Sequence, residues 1–196
     1  MQLALLLNTI VCTLKNKKMK NLFYPLIASA VLLTSAALSI TIQEYKVKEG
    51  FSIKFSSKDP SGSFKKMSGT VHYDKNDLAN SSFDFVIDVA SIRTGNSMKD
   101  RKAQTSEWFS AAKYPKISFK STKVVKTEKG TYVHGNLKMK GVTRFRKIPI
   151  KVSESKTGLN FTGTFWVDRS YYKIGKPSKS VPNKLKISYI IPVTKK

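Results

Sequence analysis

Alternation between apolar and polar residues constrains the fold of this chain more than any other feature. In Ser82–Ala90, the apolar residues Phe83, Phe85, Ile87 and Val89 occupy every second position, and two aspartates lie between them. A period of two residues is typical of a β-strand with one buried face. This segment therefore predicts a half-buried strand.

Eight further segments have strand character and are separated by turn sequences such as Asp59-Pro60-Ser61-Gly62 and Lys140-Gly141. They are Gln43–Glu49, Phe51–Ser57, Gly69–Asp74, Ile117–Lys126, Thr131–Met139, Val142–Val152, Leu159–Asp168 and Lys184–Val193. Short strands with hairpin-type turns predict an all-β antiparallel barrel or sandwich. A closed barrel of about eight strands leaves an interior just wide enough for side chains or one slender ligand. The apolar faces alone are compatible with both.

The segment Ala90–Pro115 interrupts the series of strands. Asn96 or Ser97 can cap a short helix that runs to about Thr105. The large apolar pair Trp108-Phe109 follows and must pack against another part of the protein. We therefore expect a helical lid, inserted between two strands, that covers one end of the barrel.

The N-terminal region predicts a leader followed by one domain. Leu22–Ile40 is almost wholly apolar and follows a cluster of lysines, as in a secretory signal peptide. We expect a signal peptide at 1–39, a domain at 40–196, and a periplasmic or secreted product. Met19 is a candidate for the true initiator, and residues 1–18 would then not belong to the natural protein. The alternative to a cleaved signal peptide is an uncleaved membrane anchor. Cys12 is the only cysteine, so the domain has no disulfide.

The chain is strongly basic, with a formal net charge of +24. The expected leader contains four lysines and no acid, which leaves about +20 on the domain (24 − 4). Such a charge attracts anionic surfaces, including membranes. The lysines are dispersed along the strands and form no readout pattern, so we do not expect nucleic-acid binding. A lysine-rich surface without a specific partner is the alternative interpretation.

Few residues suggest catalysis. His72 and His134 are the only histidines, and neither belongs to a group of residues with metal-ligand spacing. The sequence has no serine elbow and no glycine-rich phosphate loop. We therefore predict a non-enzyme without a metal or cofactor. An unrecognised active site that includes the two histidines or Asp168 is the alternative.

A series of short motifs occurs in a specific order from Ser91 onward. They are Ser91-Ile92, Thr94-Gly95-Asn96, Asp100, Trp108-Phe109, Lys113-Tyr114-Pro115, Gly135-Asn136-Leu137, Lys140-Gly141-Val142-Thr143, Phe165–Ser170 and Ile174-Gly175. In order and spacing they resemble the YceI-like family, which comprises secreted bacterial proteins with a lipocalin-like barrel that bind polyisoprenoids. The resemblance covers roughly Tyr45 to the C-terminus. It implies an eight-stranded lipocalin-like barrel with the short helix as its lid.

The sequence departs from this family at four places. Lys99-Asp100 stands for the usual Arg-Asp pair, and Arg101-Lys102 stands for a usual His-Leu pair. Ser110 replaces an acid after the aromatic pair, and Gly50-Phe51-Ser52 replaces a His-Ser step. These changes do not disturb the alternation, and several lie near the presumed mouth of the barrel. They therefore bear on the ligand more than on the fold.

The resemblance implies an exported carrier that holds a polyisoprenoid, a quinone-type lipid or a similar amphiphile. The candidate lining residues share the inward phase of their strands: Phe55, Phe83, Phe85, Ile87, Ile117, Phe119, Val133, Leu137, Phe161, Phe165, Ile187 and Tyr189. The candidate lid and mouth residues are Lys99, Asp100, Trp108, Phe109 and Arg169.

Arg169 and Trp166 carry more specific expectations. Arg169 could stack on a nearby tyrosine, pair with Asp100 or Asp168, or attract a ligand phosphate or carbonyl. Trp166 alternates with inward-phased neighbours and should point outward.

The alternative function is a basic protein of the envelope surface whose barrel is filled by side chains. The oligomeric state stays open, and a homodimer is one option.

Overall fold

The computed structural model describes residues 43–178 and 181–196, and the expected leader lies outside this part. The described strands are β1 (Glu44–Val47), β2 (Ser52–Ser56), β3 (Gly62–Phe64), β4 (Met67–His72), β5 (Ser82–Asp88), β6 (Ile92–Arg93), β7 (Lys116–Thr127), β8 (Gly130–Met139), β9 (Val142–Ser155), β10 (Gly158–Asp168) and β11 (Lys184–Lys195). The helix α1 spans Ser97–Gln104, and 3₁₀ turns span Leu78–Asn80, Val89–Ser91 and Arg169–Tyr172. Within the described residues, no helix has the length and hydropathy to cross a membrane.

The strands close into an antiparallel barrel. Pairing runs in the order β1-β4-β5-β7-β8-β9-β10-β11, and β11 returns to β1. The three short strands β2, β3 and β6 extend this ring, because β2 pairs with β11, β3 with β2, and β6 with β3. They continue the courses of β1, β4 and β5, so the ring has eight positions. The predicted eight-stranded barrel is confirmed.

Neighbouring positions of the eight-position ring run in opposite directions, so the connections between them alternate between the two ends of the barrel. One end, the lid end, carries the connections 57–61, 94–115 and 140–141 and the connection that begins at Arg169. The other end, the floor end, carries 73–81, 128–129 and 156–157. The hairpin at the lid end is a two-residue turn in which Lys140 and Gly141 have φ values of 45° and 77°, as a type I′ hairpin requires. The predicted turn is confirmed.

The barrel wall is interrupted between β9 and β10 on the side of the lid end. These strands pair only from Lys151 to Ser155 on β9 and from Gly158 to Thr162 on β10. Pro149 lies just beyond the paired region and has no N–H to donate to β10. Its carbonyl instead accepts a hydrogen bond of 2.5 Å from the hydroxyl of Tyr189 on β11. The proline therefore ends the β9–β10 ladder, and beyond it the Tyr189 side chain links β11 to β9.

Buried apolar residues close the floor end of the barrel. Val71 and Val193 are fully buried, and Phe83 and Phe161 are 2% and 1% exposed. The ring of Phe161 meets those of Phe83 and Tyr73 edge to face, with centroid distances of 5.1 and 5.5 Å, a favourable geometry for aromatic pairs. These residues come from the floor ends of their strands and close this end of the barrel.

Candidate ligand-binding cavity

The barrel encloses a cavity of about 340 Å³ that extends from the floor aromatics to the lid. Its volume falls in the range of pockets that bind small molecules, about 300–1,000 Å³. All twelve residues expected to line the barrel do line this cavity: Phe55, Phe83, Phe85, Ile87, Ile117, Phe119, Val133, Leu137, Phe161, Phe165, Ile187 and Tyr189. The alternation of the strands therefore identified the inward face correctly. Contact with a ligand stays a prediction for each of them.

Further apolar residues complete the wall. Those on strands are Ile53, Phe64, Met67, Ile92, Met139, Ile148, Ile150, Val167, Leu185 and Ile191. Ile53 and Val167 are in phase with the predicted Phe55 and Phe165, so the same alternation could have found them. Phe64 and Ile92 belong to β3 and β6, which have three and two residues and are too short to show a period.

Tyr189 is the one tyrosine of this wall, and its ring is buried. Burial raises the pKa of its phenol, so the group stays neutral. Because its hydroxyl donates to the Pro149 carbonyl, this polar atom is already satisfied. The wall between floor and lid therefore offers a ligand mainly apolar contacts.

The lid begins with a capped helix. The Asn96 side chain accepts hydrogen bonds from the backbone N–H groups of Met98 and Lys99, at 2.9 and 3.1 Å, as an N-cap residue does. This confirms the predicted start of the helix. Asp100, in the first turn, accepts 2.7 Å hydrogen bonds from both the N–H and the hydroxyl of Thr94. These two bonds hold the pKa of the Asp100 carboxyl below its usual value. Asp100 thus fixes the lid and does not line the cavity.

After α1 the chain folds back so that Trp108 and Phe109 close over the cavity. The backbone N–H groups of Phe109 and Ala111 bond to the carbonyls of Ala103 and Gln104 at the end of the helix. Both aromatic rings are half-buried and line the cavity. The ring of Phe109 meets that of Phe64 edge to face at 6.0 Å. The aromatic pair therefore packs into the barrel as expected.

Arg169 holds the lid-end connection that follows β10. Its guanidinium donates hydrogen bonds to the backbone carbonyls of Ile174, Lys176, Val181 and Pro182, at 2.7–3.2 Å. The residue is only 3% exposed, and burial lowers the pKa of its guanidinium. The side chain still borders the cavity. With its donors used in this way, Arg169 acts as a clamp on its own loop.

These contacts differ from the pairs expected for Arg169. Asp100 bonds to Thr94 instead, and the Asp168 carboxylate accepts from the N–H and hydroxyl of Ser170. The aromatic partner of Arg169 is Trp108 and not a tyrosine, at 5.4 Å from the ring centroid. A Cβ added at Gly175 would lie 2.7 Å from the guanidinium and 3.0 Å from the indole. Glycine is therefore needed where the lid and this loop meet.

A second contact closes the opposite side of the lid. The Lys99 ammonium on α1 donates to both oxygens of Asp59, at 2.9 and 3.1 Å, and Asp59 lies in the turn between β2 and β3. Both side chains line the cavity and are half exposed, at 50% and 58%. Exposed pairs of this kind contribute little to stability, about 0.2–1 kcal/mol. The pair therefore joins lid and barrel by a weak contact at the mouth.

The residues considered for catalysis lie elsewhere. His72, His134 and Asp168 are not among the residues that line the cavity. His134 lies on the outward-facing side of β8, where its ring meets that of Phe145. Burial, and then the nearby charges of Lys147 and Lys123, lower its pKa. Among the described residues, no group of three His, Cys, Asp or Glu residues could hold a metal ion.

The outer wall carries Trp166, which is 58% exposed. The sequence predicted its outward direction, and the structure confirms it. Trp166 pairs across the strands with Lys186 of β11. Cross-strand partners share one face of a sheet, so this ring lies beside a basic side chain on the outer wall.

Known structures share this architecture. BcnA of Burkholderia cenocepacia superposes with a TM-score of 0.68 and 27% identity, over 74% of this chain and 96% of BcnA. The YceI protein of Campylobacter jejuni gives 0.62 and 23% identity over 72% and 87% of the two chains. A polyisoprenoid binding domain from Saccharophagus degradans gives 0.58 and 13% identity, over 78% and 98%. At identities this low, the last two similarities show the fold alone.

The sequence comparisons agree. A UPF0312 protein of Yersinia enterocolitica is 31% identical over 97 residues, which are 50% of this chain and 48% of that protein. A UPF0312 protein of Vibrio parahaemolyticus is 33% identical over 84 residues, 42% and 44% of the two chains. The chain thus aligns with about half the length of these curated relatives. The family model described as the YceI-like domain matches residues 35–192. This chain belongs to the YceI-like domain family.

Proposed function

We propose that this protein is an exported carrier that holds one long-chain isoprenoid, quinone-type lipid or similar amphiphile inside its barrel. The observation that carries the proposal is the cavity of about 340 Å³, with its apolar wall, its aromatic floor and its aromatic lid. The relative from Saccharophagus degradans is described as a polyisoprenoid binding domain, which supports the same class of ligand here.

Such a cavity would bind a chain by removing it from water. Each buried CH₂ group contributes up to about 0.8 kcal/mol before the cost of ordering the ligand. Since the middle of the wall offers few unsatisfied polar groups, it would select a chain by width and length. Chemical selection would be confined to the lid end, where the charged residues of the wall lie.

A pair of isoleucines on β11 allows a matched test. Ile187 faces the cavity, whereas Ile190 points outward and is 50% exposed. We expect Ile187→Trp to occupy the cavity and weaken the binding of farnesol at least tenfold in a fluorescence titration, because the chain and the indole compete for one space. Ile190→Trp should bind as the unaltered protein does. Equal, undiminished binding by both variants, with unchanged melting curves, would contradict an interior site.

Export and membrane contact are the remaining parts of the proposal. The basic, apolar N-terminal stretch favours a leader, and cell fractionation should find the protein, shortened by about 39 residues, outside the cytoplasm. The exposed Trp166 beside Lys186 favours contact with anionic membranes, from which an apolar ligand would be collected. Co-sedimentation with phosphatidylglycerol vesicles but not with phosphatidylcholine vesicles is expected. A full-length cytoplasmic protein would argue against export.

A further inference from the structure

The charged residues of the cavity wall all lie at the lid end. They are Asp59 in the β2–β3 turn, Lys99 and Lys102 on α1, and Arg169 after β10. Three cations and one acid give this part of the wall a formal charge of +2 (3 − 1). Since the remainder of the wall is mainly apolar, an elongated ligand with its chain toward the floor would place its headgroup among these charges.

Two of the three cations are already engaged. Lys99 is paired with Asp59 at 2.9 Å, so their charges offset each other. Arg169 is buried and donates to four backbone carbonyls, and the neighbouring Asp168 offsets part of its charge. Neither is placed to approach a ligand freely.

Lys102 differs from both. It lies three residues after Lys99 on α1, and side chains three apart share one side of a helix. Its side chain lines the cavity, yet neither of the ion pairs formed among residues 43–178 and 181–196 includes it. The residue is exposed, and the flexible stem of a lysine allows the ammonium to follow headgroups of different size. It is thus an uncompensated cation at the mouth of an apolar cavity.

We infer that Lys102 gives this barrel a preference for single-chain amphiphiles with an anionic headgroup, a phosphate or a carboxylate, over neutral ones. The inference rests on the proposed function and adds a headgroup specificity to it. A hydrogen bond between an ammonium and an anionic oxygen is shorter and stronger than one to a neutral hydroxyl. The charge of Arg169, only partly offset by Asp168, adds attraction that an alcohol would not gain.

Three ligands with the same chain separate headgroup from tail: farnesol, farnesyl phosphate and farnesoate. We expect the purified protein to bind the phosphate and the carboxylate roughly fivefold or more tightly than the alcohol at low salt. High salt should reduce the difference in affinity between the two anionic ligands and farnesol, because it screens exposed charges. A preference for the phosphate alone would identify phosphate as the headgroup, and one for the carboxylate alone would identify carboxylate.

Lys102→Leu should remove this preference and leave farnesol binding unchanged. The matched control is Arg101→Leu, which loses the same charge from the same helix at a residue that does not line the cavity. Leu keeps a helix propensity similar to that of both residues, so α1 should persist. Arg101→Leu should retain the preference, while a general effect of charge would weaken it equally in both variants and overturn the inference.

The outcomes distinguish this inference from the function on which it rests. Equal affinity for all three ligands would overturn the headgroup preference and leave the carrier function intact. No binding of any of the three would contradict the carrier function itself. Retention of the preference in Lys102→Leu would show that another group supplies it.

Discussion

The two ends of this barrel differ in how their aromatic residues are buried. At the floor end, Phe161 is 1% exposed and meets two other aromatic rings edge to face. At the lid end, Trp108 and Phe109 are only half-buried, and an exposed ion pair joins the lid to the barrel. The same inward-facing alternation thus gives a packed plug at one end and open space at the other. We therefore expect the floor to contribute more to stability and the lid to control access to the cavity.

The largest effect should come from the floor. Phe161→Ala removes a fully buried ring, and we expect it to lower the free energy of unfolding by about 3–5 kcal/mol. Phe165→Ala, four residues later on the same face of β10, should lower it by only about 1–2 kcal/mol, since that ring is already partly exposed in the native protein. Urea denaturation measures both. Equal losses would show that the floor is not the more tightly packed end.

An intermediate effect is expected from the Arg169 clamp. Arg169→Met leaves four backbone carbonyls without their donor, and we expect a loss of about 2–3 kcal/mol. Arg169→Lys keeps the charge but lacks the planar fork that serves several carbonyls at once, so it should be nearly as destabilised in the same denaturation assay. Full stability in Arg169→Lys would show that charge, and not the shape of the guanidinium, holds the loop.

The smallest change in stability is expected from the ion pair at the mouth. Asp59→Asn should alter the free energy of unfolding by less than about 1 kcal/mol. It should nevertheless accelerate ligand release several-fold in stopped-flow displacement, because Lys99 then no longer joins the lid to the β2–β3 turn.

The barrel provides a matched control for this variant. Lys196 and Glu44 form a similar pair, at 3.1 Å, near the floor end. Glu44→Gln should therefore leave the release rate of the ligand unchanged. If both variants accelerate release equally, exit through the lid end is contradicted.

The barrel was predictable because its information is local. A strand of five or more residues shows a period of two, and that period alone places Phe83, Phe85 and Ile87 on the inner face. The strands β3 and β6 could not be predicted from alternation because they are too short to show it. Their existence depends on pairing with neighbours that lie far away in the sequence.

The details of the mouth were less accessible to sequence analysis. The partners of Arg169 are backbone carbonyls, which every residue has, so residue identity gives no sign of them. Lys102 lines the cavity because of the way α1 docks on the barrel, and that orientation is set by tertiary packing. The asparagine cap of α1, by contrast, is a local signal and was predicted correctly.

Native mass spectrometry of the protein purified from the cells that make it, followed by organic extraction, tests the central claim most directly. The account predicts one discrete added mass per chain that extracts as a single-chain, long-chain lipid, and loss of that mass in Ile187→Trp but not in Ile190→Trp. A folded protein that carries no added mass, and takes up none from a mixture of isoprenoid and fatty amphiphiles, would contradict a lipid-carrying barrel.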